Sequence, residues 1–357
     1  MVERIKEELG SEDVNTRLGA ISKISTIPEG NRAEIFNLVI NDFNHEVREA
    51  AANQIVLCPS CYKIFLSDPD PKVRIAIIKH SIDIRKELKN DEDFFKSFEA
   101  LQNDSVADVR RVFATVLADH AKADFGDKDK VVPRIVQLVE RLLSDRHDDV
   151  RVAASLNVKQ LTIQFGFDFV FEQLYNSLHK MLTDTQWRVR NNAVELLFGL
   201  AIVCNSDFFD QNLFPFLMQF LTDQCYKVRE FALKALPTLV SHFGVEWLKS
   251  KLIVELQTLA QSQNFLQRET YLYCISALVS FFPVQYQSNY VFQPMIRMLR
   301  DPVQNVVLLA IELLQKHKES IHPFRRQYEL KPILENLVES SPQTVKEHAN
   351  AFLAECQ

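Results

Sequence analysis

The stretch "DTQWRVRNNAVELL", Asp184–Leu197, begins with polar residues and continues with apolar residues at helical spacing. Val189, Ala193 and Leu196 stand at i, i+4 and i+7, which predicts one apolar face of a helix that begins near Val189. The polar residues before it predict a turn, and that turn contains Trp187, a side chain of a type that is usually buried. The stretch therefore predicts a turn and a helix whose apolar face needs a packing partner.

The "VR" of this stretch recurs along the chain in one column of positions. With weaker matches included, the members of this arginine column are Arg17, Arg48, Arg74, Arg110, Arg151, Arg190, Arg229, Arg268, Val307 and Lys346. Successive members are 31, 26, 36 and 41 residues apart up to Arg151 and then 39 apart five times. A fixed period of about 20–50 residues is the sequence signature of a solenoid.

Two further columns repeat in the same 39-residue register. One contains mostly aspartates: Asp145, Asp184, Asp223, Ser262, Asp301 and Ser340. The other is predicted to end the helix after each "VR": Gly166, Asn205, Gly244 and Pro283. Glycine and asparagine tolerate the left-handed conformation that closes a helix, and proline cannot continue one. Each repeat is therefore predicted to be two helices, and the arginine column is expected to bond to the aspartate column inside the stack.

The fold class predicted from these columns is all-α: an α-α superhelix, or solenoid, of about ten helix pairs whose shared faces form one core. We expect one continuous solenoid in two parts. Residues 1–125 are predicted to form compressed, irregular repeats, and residues 126–357 to form regular repeats of 39 residues.

Composition agrees with a helical protein and disfavours several other classes. Only 7 of 357 residues are glycine, so tight β-turns are few and neither common glycine-rich phosphate loop occurs. The longest apolar runs, such as Leu196–Cys204, are shorter than the ~20 residues of a membrane span, and no secretory leader is evident. Six scattered cysteines form no disulfide framework. We therefore expect a soluble protein that does not act at a membrane. Its expected location is the cytoplasm, with the nucleus as a second location.

Catalytic, metal and nucleic-acid functions find little support. Cys58–Cys61, "CPSC", has the spacing of a redox dithiol but lacks the surrounding βαβ pattern. His45-Glu46 is the only adjacent His-Glu pair, and His80 is isolated, so no metal-ligand set is predicted. With 41 Lys and Arg against 47 Asp and Glu, the chain lacks the basic excess of a nucleic-acid binder. We expect no catalytic residue, no metal and no cofactor.

The period, the "D-x-x-x-x-V-R" turn and a proline in the first helix resemble HEAT repeats; the prolines are Pro133, Pro215, Pro294 and Pro332. The resemblance can be narrowed by several segments taken in order. These are "DTQWRVRNNAVELL", "FFDQNLFPFL", "YKVREFALKALPTLVSHFGVEW", "NFLQRETYLYCISAL", "MIRMLRDPVQNV" and "LKPILENLVES". They are similar to the last five repeats of the scaffold (A, structural regulatory) subunit of protein phosphatase 2A. Glu7–Ile27 is similar to that family's first repeat, and the middle repeats are fewer here.

Spacing alone suggests where a partner would bind. Three residues before the arginine column stand Trp187, Tyr226 and Phe265, and the next position holds Arg188, Lys227 and Leu266. Aromatic and basic residues at equivalent turns have the composition of a protein-binding hot spot. The other interpretation is that each aromatic ring folds back and completes the core. The residues alone leave both interpretations open.

The resemblance implies a function. In that family the turns of the last five repeats hold the phosphatase catalytic subunit. The matching motifs place contact residues at Trp187, Arg188, Tyr226, Val303 and Asn305, and Phe265 stands where the family has a tyrosine. The chain would then be a non-catalytic scaffold and regulatory subunit of a protein phosphatase 2A-type complex. Val307 replaces the usual arginine of "NVR", which predicts weaker polar contacts between the last repeats.

Two alternatives stay open. In the family, the N-terminal repeats bind regulatory B-type subunits, and this part is shortened here, so a third subunit is an open expectation. The alternative function is another HEAT-repeat interaction protein, such as a nuclear transport receptor or a trafficking adaptor.

Overall fold

The computed structural model describes residues 1–88, 91–123 and 128–355, and every regular element within these ranges is a helix. By packing, the chain divides into an N-terminal unit, Met1–Leu196, and a C-terminal unit, Leu197–Gln357. The boundary predicted near residue 125 falls on residues 124–127, outside the described ranges, so the predicted division at that point stays a prediction.

The helices follow one another in pairs along the chain. Up to the end of the N-terminal unit they are α1 (Val2–Leu9), α2 (Val14–Ser22), α3 (Glu29–Val39), α4 (His45–Ala52), α5 (Tyr62–Leu66), α6 (Pro71–Lys79), α7 (Ser81–Glu87), α8 (Glu92–Glu99), α9 (Ala107–Lys122), α10 (Lys128–Leu142), α11 (Asp148–Phe165), α12 (Phe167–Leu182) and α13 (Trp187–Ala201), which contains the unit boundary. The C-terminal unit continues with α14 (Ser206–Asn212), α15 (Phe214–Leu221), α16 (Tyr226–Trp247), α17 (Ile253–Ala260), α18 (Phe265–Leu278), α19 (Val284–Gln287), α20 (Gln293–Met298), α21 (Gln304–Lys316), α22 (Pro323–Arg325), α23 (Lys331–Ser340) and α24 (Gln343–Glu355).

The second helices of the pairs pack on one another in series within each unit. In the N-terminal unit α2 contacts α4, α4 contacts α6, α6 contacts α9 and α9 contacts α11. In the C-terminal unit α16 contacts α18, α18 contacts α21 and α21 contacts α24. Each second helix buries an apolar stripe at helical spacing; on α9, Val109, Phe113 and Leu117 are all fully buried. The predicted all-α architecture of about ten stacked helix pairs is confirmed.

Arginine and aspartate columns form a ladder of buried ion pairs. Arg110 donates from Nε and Nη2 to the carboxylate of Asp145 at 2.6 and 2.9 Å, and from Nη1 to the carbonyl oxygen of Asp104 at 2.7 Å. The carboxylate of Asp145 also accepts the amide of His147 at 2.9 Å, which closes the turn before α11. Each aspartate carboxylate thus closes its own turn and also accepts two hydrogen bonds from the arginine of the preceding repeat.

Five such rungs lie in the N-terminal unit and one in the C-terminal unit: Arg17–Asp42, Arg48–Asp68, Arg74–Asp104, Arg110–Asp145, Arg151–Asp184 and Arg268–Asp301. The predicted bonding of the arginine column to the aspartate column is therefore confirmed at these positions. The more closely spaced N-terminal repeats keep the same rungs, because their helices are shorter while the turn from aspartate to arginine is the same.

The column predicted to end helices is partly wrong. Gly166 closes α11 and Gly244 interrupts α16 at a kink; they adopt φ of 89° and 87° with ψ of 160° and 173°, a region open essentially to glycine alone. Asn205 instead has extended backbone, φ −80° and ψ 167°, and its Oδ1 accepts the amide of Phe208 at 2.8 Å. Asn205 therefore begins the next helix by capping its N-terminus and does not close the previous one.

One buried histidine is expected to make the stability of the N-terminal unit depend on pH. His120 on α9 is 1% exposed, its Nε2 lies 2.9 Å from Oγ of Ser81, and burial together with the charge of Arg85 lowers its pKa to about 3. The ordinary pKa of histidine is 6.5, so on acidification this imidazole takes up a proton in the unfolded chain at a higher pH than in the folded chain. We expect stability to be full above pH 6.5 and to fall by up to about 1.4 kcal/mol per pH unit from there toward pH 3.

Urea unfolding at a series of pH values measures this slope. His120→Gln is expected to reduce it, because the buried imidazole whose pKa is lowered is then absent. An unaltered slope in His120→Gln would show that other groups carry the acid sensitivity.

In the described parts of the chain, no helix is both long enough and apolar enough to cross a membrane.

Candidate protein-binding surface

Trp187, Tyr226 and Phe265 are the first residues of the second helices α13, α16 and α18. The prediction that these aromatic residues lie in turns is wrong, because each turn is already closed before the aromatic residue. A hydrogen bond between the aspartate carboxylate and the amide two residues later closes it. At Asp184 this bond goes to the amide of Gln186 at 2.8 Å. The aromatic side chains are therefore held on helix ends and not on loops.

Exposure separates the three aromatic residues. Trp187, in the N-terminal unit, is 43% exposed, and Tyr226, in the C-terminal unit, is 58% exposed. Phe265 is only partly exposed, while the neighbouring Leu266 is 38% exposed. Packing into the core therefore accounts for part of Phe265, but Trp187 and Tyr226 stay open to a partner.

Arg188 is held only by weak surface ion pairs. Its Nη2 lies 3.4 Å from Oδ2 of Asp148 and its Nη1 lies 3.5 Å from Oδ1 of Asp149, both in the first turn of α11. The Arg188 side chain is 57% exposed, and ion pairs of this kind contribute about 0–1 kcal/mol. A partner can therefore displace these carboxylates at little cost, leaving Arg188 free to bond next to Trp187.

Tyr226 opens onto a small pocket between α16 and α18. The Tyr226 pocket has a volume of about 170 Å³ and is lined by Tyr226, Arg229, Glu230, Leu233, Leu266, Glu269, Thr270 and Tyr273. Tyr273 is 43% exposed, so two tyrosine rings and Leu266 form an accessible apolar wall. On α18, Leu266, Thr270 and Tyr273 stand at i, i+4 and i+7, and this spacing is the signal by which the sequence could have revealed the pocket.

Val303 and Asn305 flank the start of α21. Val303 is the N-cap residue, partly exposed, and its amide donates to Oδ1 of Asp301 at 2.8 Å. Asn305 is the second residue of α21 and is exposed. The predicted contact residues of the C-terminal unit thus stand at the N-terminal ends of three successive second helices, α16, α18 and α21.

Two positions of the C-terminal unit interrupt the ladder. Ser262 occupies the aspartate position that would pair with Arg229. At the other interruption, Val307 occupies the arginine position and Ser340 occupies the aspartate position. Val307 is 5% exposed and lines a cavity of about 610 Å³ beside α23 and α24, whereas the space around the Arg110 rung measures about 380 Å³. The rung at Val307 is therefore missing, as the sequence predicts, and looser packing of the last two repeats stays a prediction.

Residues 57–258, more than half of the chain, match the family model described as the PIK3R4-like, middle domain. The chain belongs to the PIK3R4-like middle-domain family. No curated protein sequence is significantly similar to it.

Solved structures similar to this PIK3R4-like chain include karyopherins. Importin beta superposes with a TM-score of 0.62 at 15% identity, over 97% of this chain and 48% of that protein. Kap121p gives 0.72 at 16% identity, over 99% and 41%, and Kap121p bound to Pho4p gives 0.69 at 16%, over 98% and 41%. At such identities the likeness shows the fold alone, a HEAT-repeat solenoid. The chain spans less than half the length of these proteins.

Metal ligation and thiol chemistry depend on how side chains cluster among the described residues of the PIK3R4-like chain. Within them, no group of three or more His, Cys, Asp or Glu side chains could hold a metal ion. Cys58 and Cys61 have sulfur atoms 3.5 Å apart, but burial and the hydrogen bond with Cys58 raise the pKa of the Cys61 thiol to about 12. A thiol with so high a pKa is a poor nucleophile at neutral pH, so the pair does not have the properties of a redox centre.

Proposed function

We propose that this chain is a non-catalytic scaffold that binds a protein phosphatase 2A-type catalytic subunit through the first residues of its second helices. The observation that carries the proposal is the exposure of Trp187 and Tyr226 at one repeat position, within segments that resemble the catalytic-subunit-binding repeats of the phosphatase scaffold. Around them we assign partner contacts to Arg188, Phe265, Val303 and Asn305.

The chemistry of these positions suits a protein partner. Tryptophan, tyrosine and arginine are the residue types enriched among the few contacts that dominate binding energy. Placing rings at the starts of packed helices fixes their backbone, so little conformational entropy is lost on binding. In a solenoid each repeat contacts only its neighbours, which lets the chain adjust its shape to a partner without unfolding. A regulatory B-type subunit is a further candidate partner, and the cytoplasm, with the nucleus as an alternative, is the proposed location.

A second candidate function is that of a nuclear transport receptor or trafficking adaptor. The observation that favours it is the superposition on karyopherins, one of which was crystallised bound to Pho4p and another time bound to Nup53p. The support is that of a shared fold, so the identity of the captured protein has to separate the two candidates.

Affinity purification with the native chain tests the proposal. We expect a phosphatase catalytic subunit to be recovered by the native chain and lost with the double variant Trp187→Ala, Arg188→Ala. Tyr175→Ala is the matched control, because Tyr175 is 40% exposed on the first helix of the same repeat. Mass spectrometry of the captured proteins reads the result. Cargo or nucleoporins in place of the phosphatase would establish the second candidate, and equal phosphatase recovery by the double variant would refute the assigned contacts.

A further inference from the structure

Arg229 lies where the ladder is interrupted, and in the described part of the chain the fork of two donors that would bind the next aspartate is unused. In the six rungs given above, arginine Nε donates to the next aspartate at 2.6–2.8 Å and Nη2 donates at 2.8–3.2 Å. Arg229 keeps the other half of the pattern, since its Nη1 donates to the carbonyl oxygens of Asp223 and Gln224 at 2.7 and 3.2 Å. Among the described residues, its Nε and Nη2 have no acceptor.

Ser262 explains why the fork is empty. It occupies the aspartate position of the next repeat, and its Oγ accepts the amide of Asn264 at 3.1 Å, so it still shapes the turn. Its carbonyl oxygen accepts Nη1 of Arg268 at 2.7 Å, as in a normal rung. A serine hydroxyl is shorter than a carboxylate and uncharged, so it cannot accept both donors of the Arg229 guanidinium. The turn is therefore intact while one ion-pair position is vacant.

The vacant position is reachable from the surface. Arg229 is partly exposed and lines the Tyr226 pocket, with its guanidinium carbon 5.8 Å from the centre of the Tyr226 ring. The pocket volume of about 170 Å³ is large enough for one acidic side chain, and its tyrosine and leucine walls can cover the methylene groups of that chain. The planar fork of an arginine matches a carboxylate in two parallel hydrogen bonds.

We propose that Arg229 binds the carboxylate of an aspartate or glutamate side chain contributed by a docked protein partner, which takes the place of the missing rung. This inference rests on the proposed function in one respect, namely that a protein binds to this surface. The site differs from the assigned contacts, because Arg229 belongs to the column that elsewhere serves only to join the repeats.

The charges around the pocket favour an acidic occupant over a basic one. Glu230 already accepts Nζ of Lys234 at 2.6 Å and Nζ of Lys227 at 3.0 Å, and these bonds lower its pKa. Glu269 makes no ion pair with a described residue; burial raises its pKa, and the charge of Arg229 opposes that change. A carboxyl group can take up a proton when it is left unpaired, but a guanidinium cannot lose its charge. The guanidinium of Arg229 is therefore the group at this pocket that needs a negatively charged partner.

Filling the fork from within the chain tests the proposal. Ser262→Asp supplies the carboxylate that the other rungs have, and Ser262→Asn is the matched control of similar size without charge. We expect Ser262→Asp to raise the Tm and to weaken binding of a purified phosphatase 2A-type catalytic subunit by about 10-fold or more, while Ser262→Asn stays within about 2-fold of the native chain. Unchanged affinity in Ser262→Asp would overturn the proposal.

Two further measurements distinguish this site from the proposed function. Glu269→Gln removes the neighbouring negative charge and is expected to strengthen binding; weaker binding would indicate a basic occupant and contradict the proposal. Glutarate at constant ionic strength tests the fork without any phosphatase, because it should raise the Tm of the native chain and not that of Ser262→Asp. No shift in the native chain, or equal shifts in both, would show that the fork does not bind carboxylates, whichever protein the surface captures.

Discussion

Replacing Arg110 by alanine is expected to lower the stability of the N-terminal unit by about 3–5 kcal/mol, the usual effect of removing one partner of a buried ion pair. The side chains of Arg110 and Asp145 are only 6% and 9% exposed. Although burial alone would raise it, the pKa of Asp145 is lowered, because Arg110 and the His147 amide donate hydrogen bonds to its carboxylate. Without Arg110 that carboxylate would stay buried without its counter-ion.

Controls separate the ion pair from general damage. Arg111 is the adjacent residue, but its ion pair with Asp108 is exposed, and Arg111→Ala is expected to change stability by less than about 1 kcal/mol. The double variant Arg110→Met, Asp145→Asn removes both charges, keeps an oxygen that can accept the His147 amide, and is expected to recover much of the loss. Urea unfolding and amide exchange in α9 and α11 measure these effects. If Arg110→Ala were as mild as Arg111→Ala, the ladder would not be what holds the repeats together.

Trp187→Ala and Tyr226→Ala are each expected to weaken binding of the phosphatase catalytic subunit by about 30-fold or more, which corresponds to about 2 kcal/mol. Both rings are substantially exposed in the chain alone, so their removal leaves no cavity and the folded chain should keep its stability. Phe265→Ala should behave differently, because that ring is partly packed and its loss affects stability as well as binding.

The matched controls are exposed tyrosines on first-helix segments of each unit. Tyr175 is 40% exposed in the N-terminal unit and Tyr328 is 67% exposed in the C-terminal unit. Surface-immobilised chain and purified catalytic subunit give the dissociation constants, and thermal unfolding checks that each variant is folded. Equal losses in Tyr175→Ala and Trp187→Ala would mean that the binding surface is not the one assigned.

The ladder was predictable from sequence because its chemistry depends on spacing alone. An arginine and an aspartate separated by one repeat must meet when repeats stack, as Arg268 and Asp301 do. The same logic identifies Ser262 and Val307 as departures before any coordinates are seen. Fold class follows equally well, since three columns in one register leave only stacked helix pairs.

Exposure and local backbone could not be read from the columns. Phe265 is only partly exposed while Leu266 beside it is more exposed, because neighbouring side chains decide which of two adjacent apolar residues is covered. Asn205 shares a column with glycines, yet its side chain caps the helix that follows, a choice that local hydrogen bonding makes. The Tyr226 pocket depends on how α16 and α18 approach each other, which no single helix pattern contains.

The central claim is that a partner buries Trp187, and fluorine NMR of the chain labelled with 5-fluorotryptophan measures this directly. The chain has two tryptophans, Trp187 at 43% exposure and Trp247 at 7%, so the spectrum of the free chain should contain one solvent-accessible and one protected signal. On saturation with unlabelled catalytic subunit, we predict that the Trp187 signal shifts and loses its response to solvent D₂O, while the Trp247 signal stays in place. A Trp187 signal that remains unshifted and solvent-accessible in the saturated complex would contradict the account.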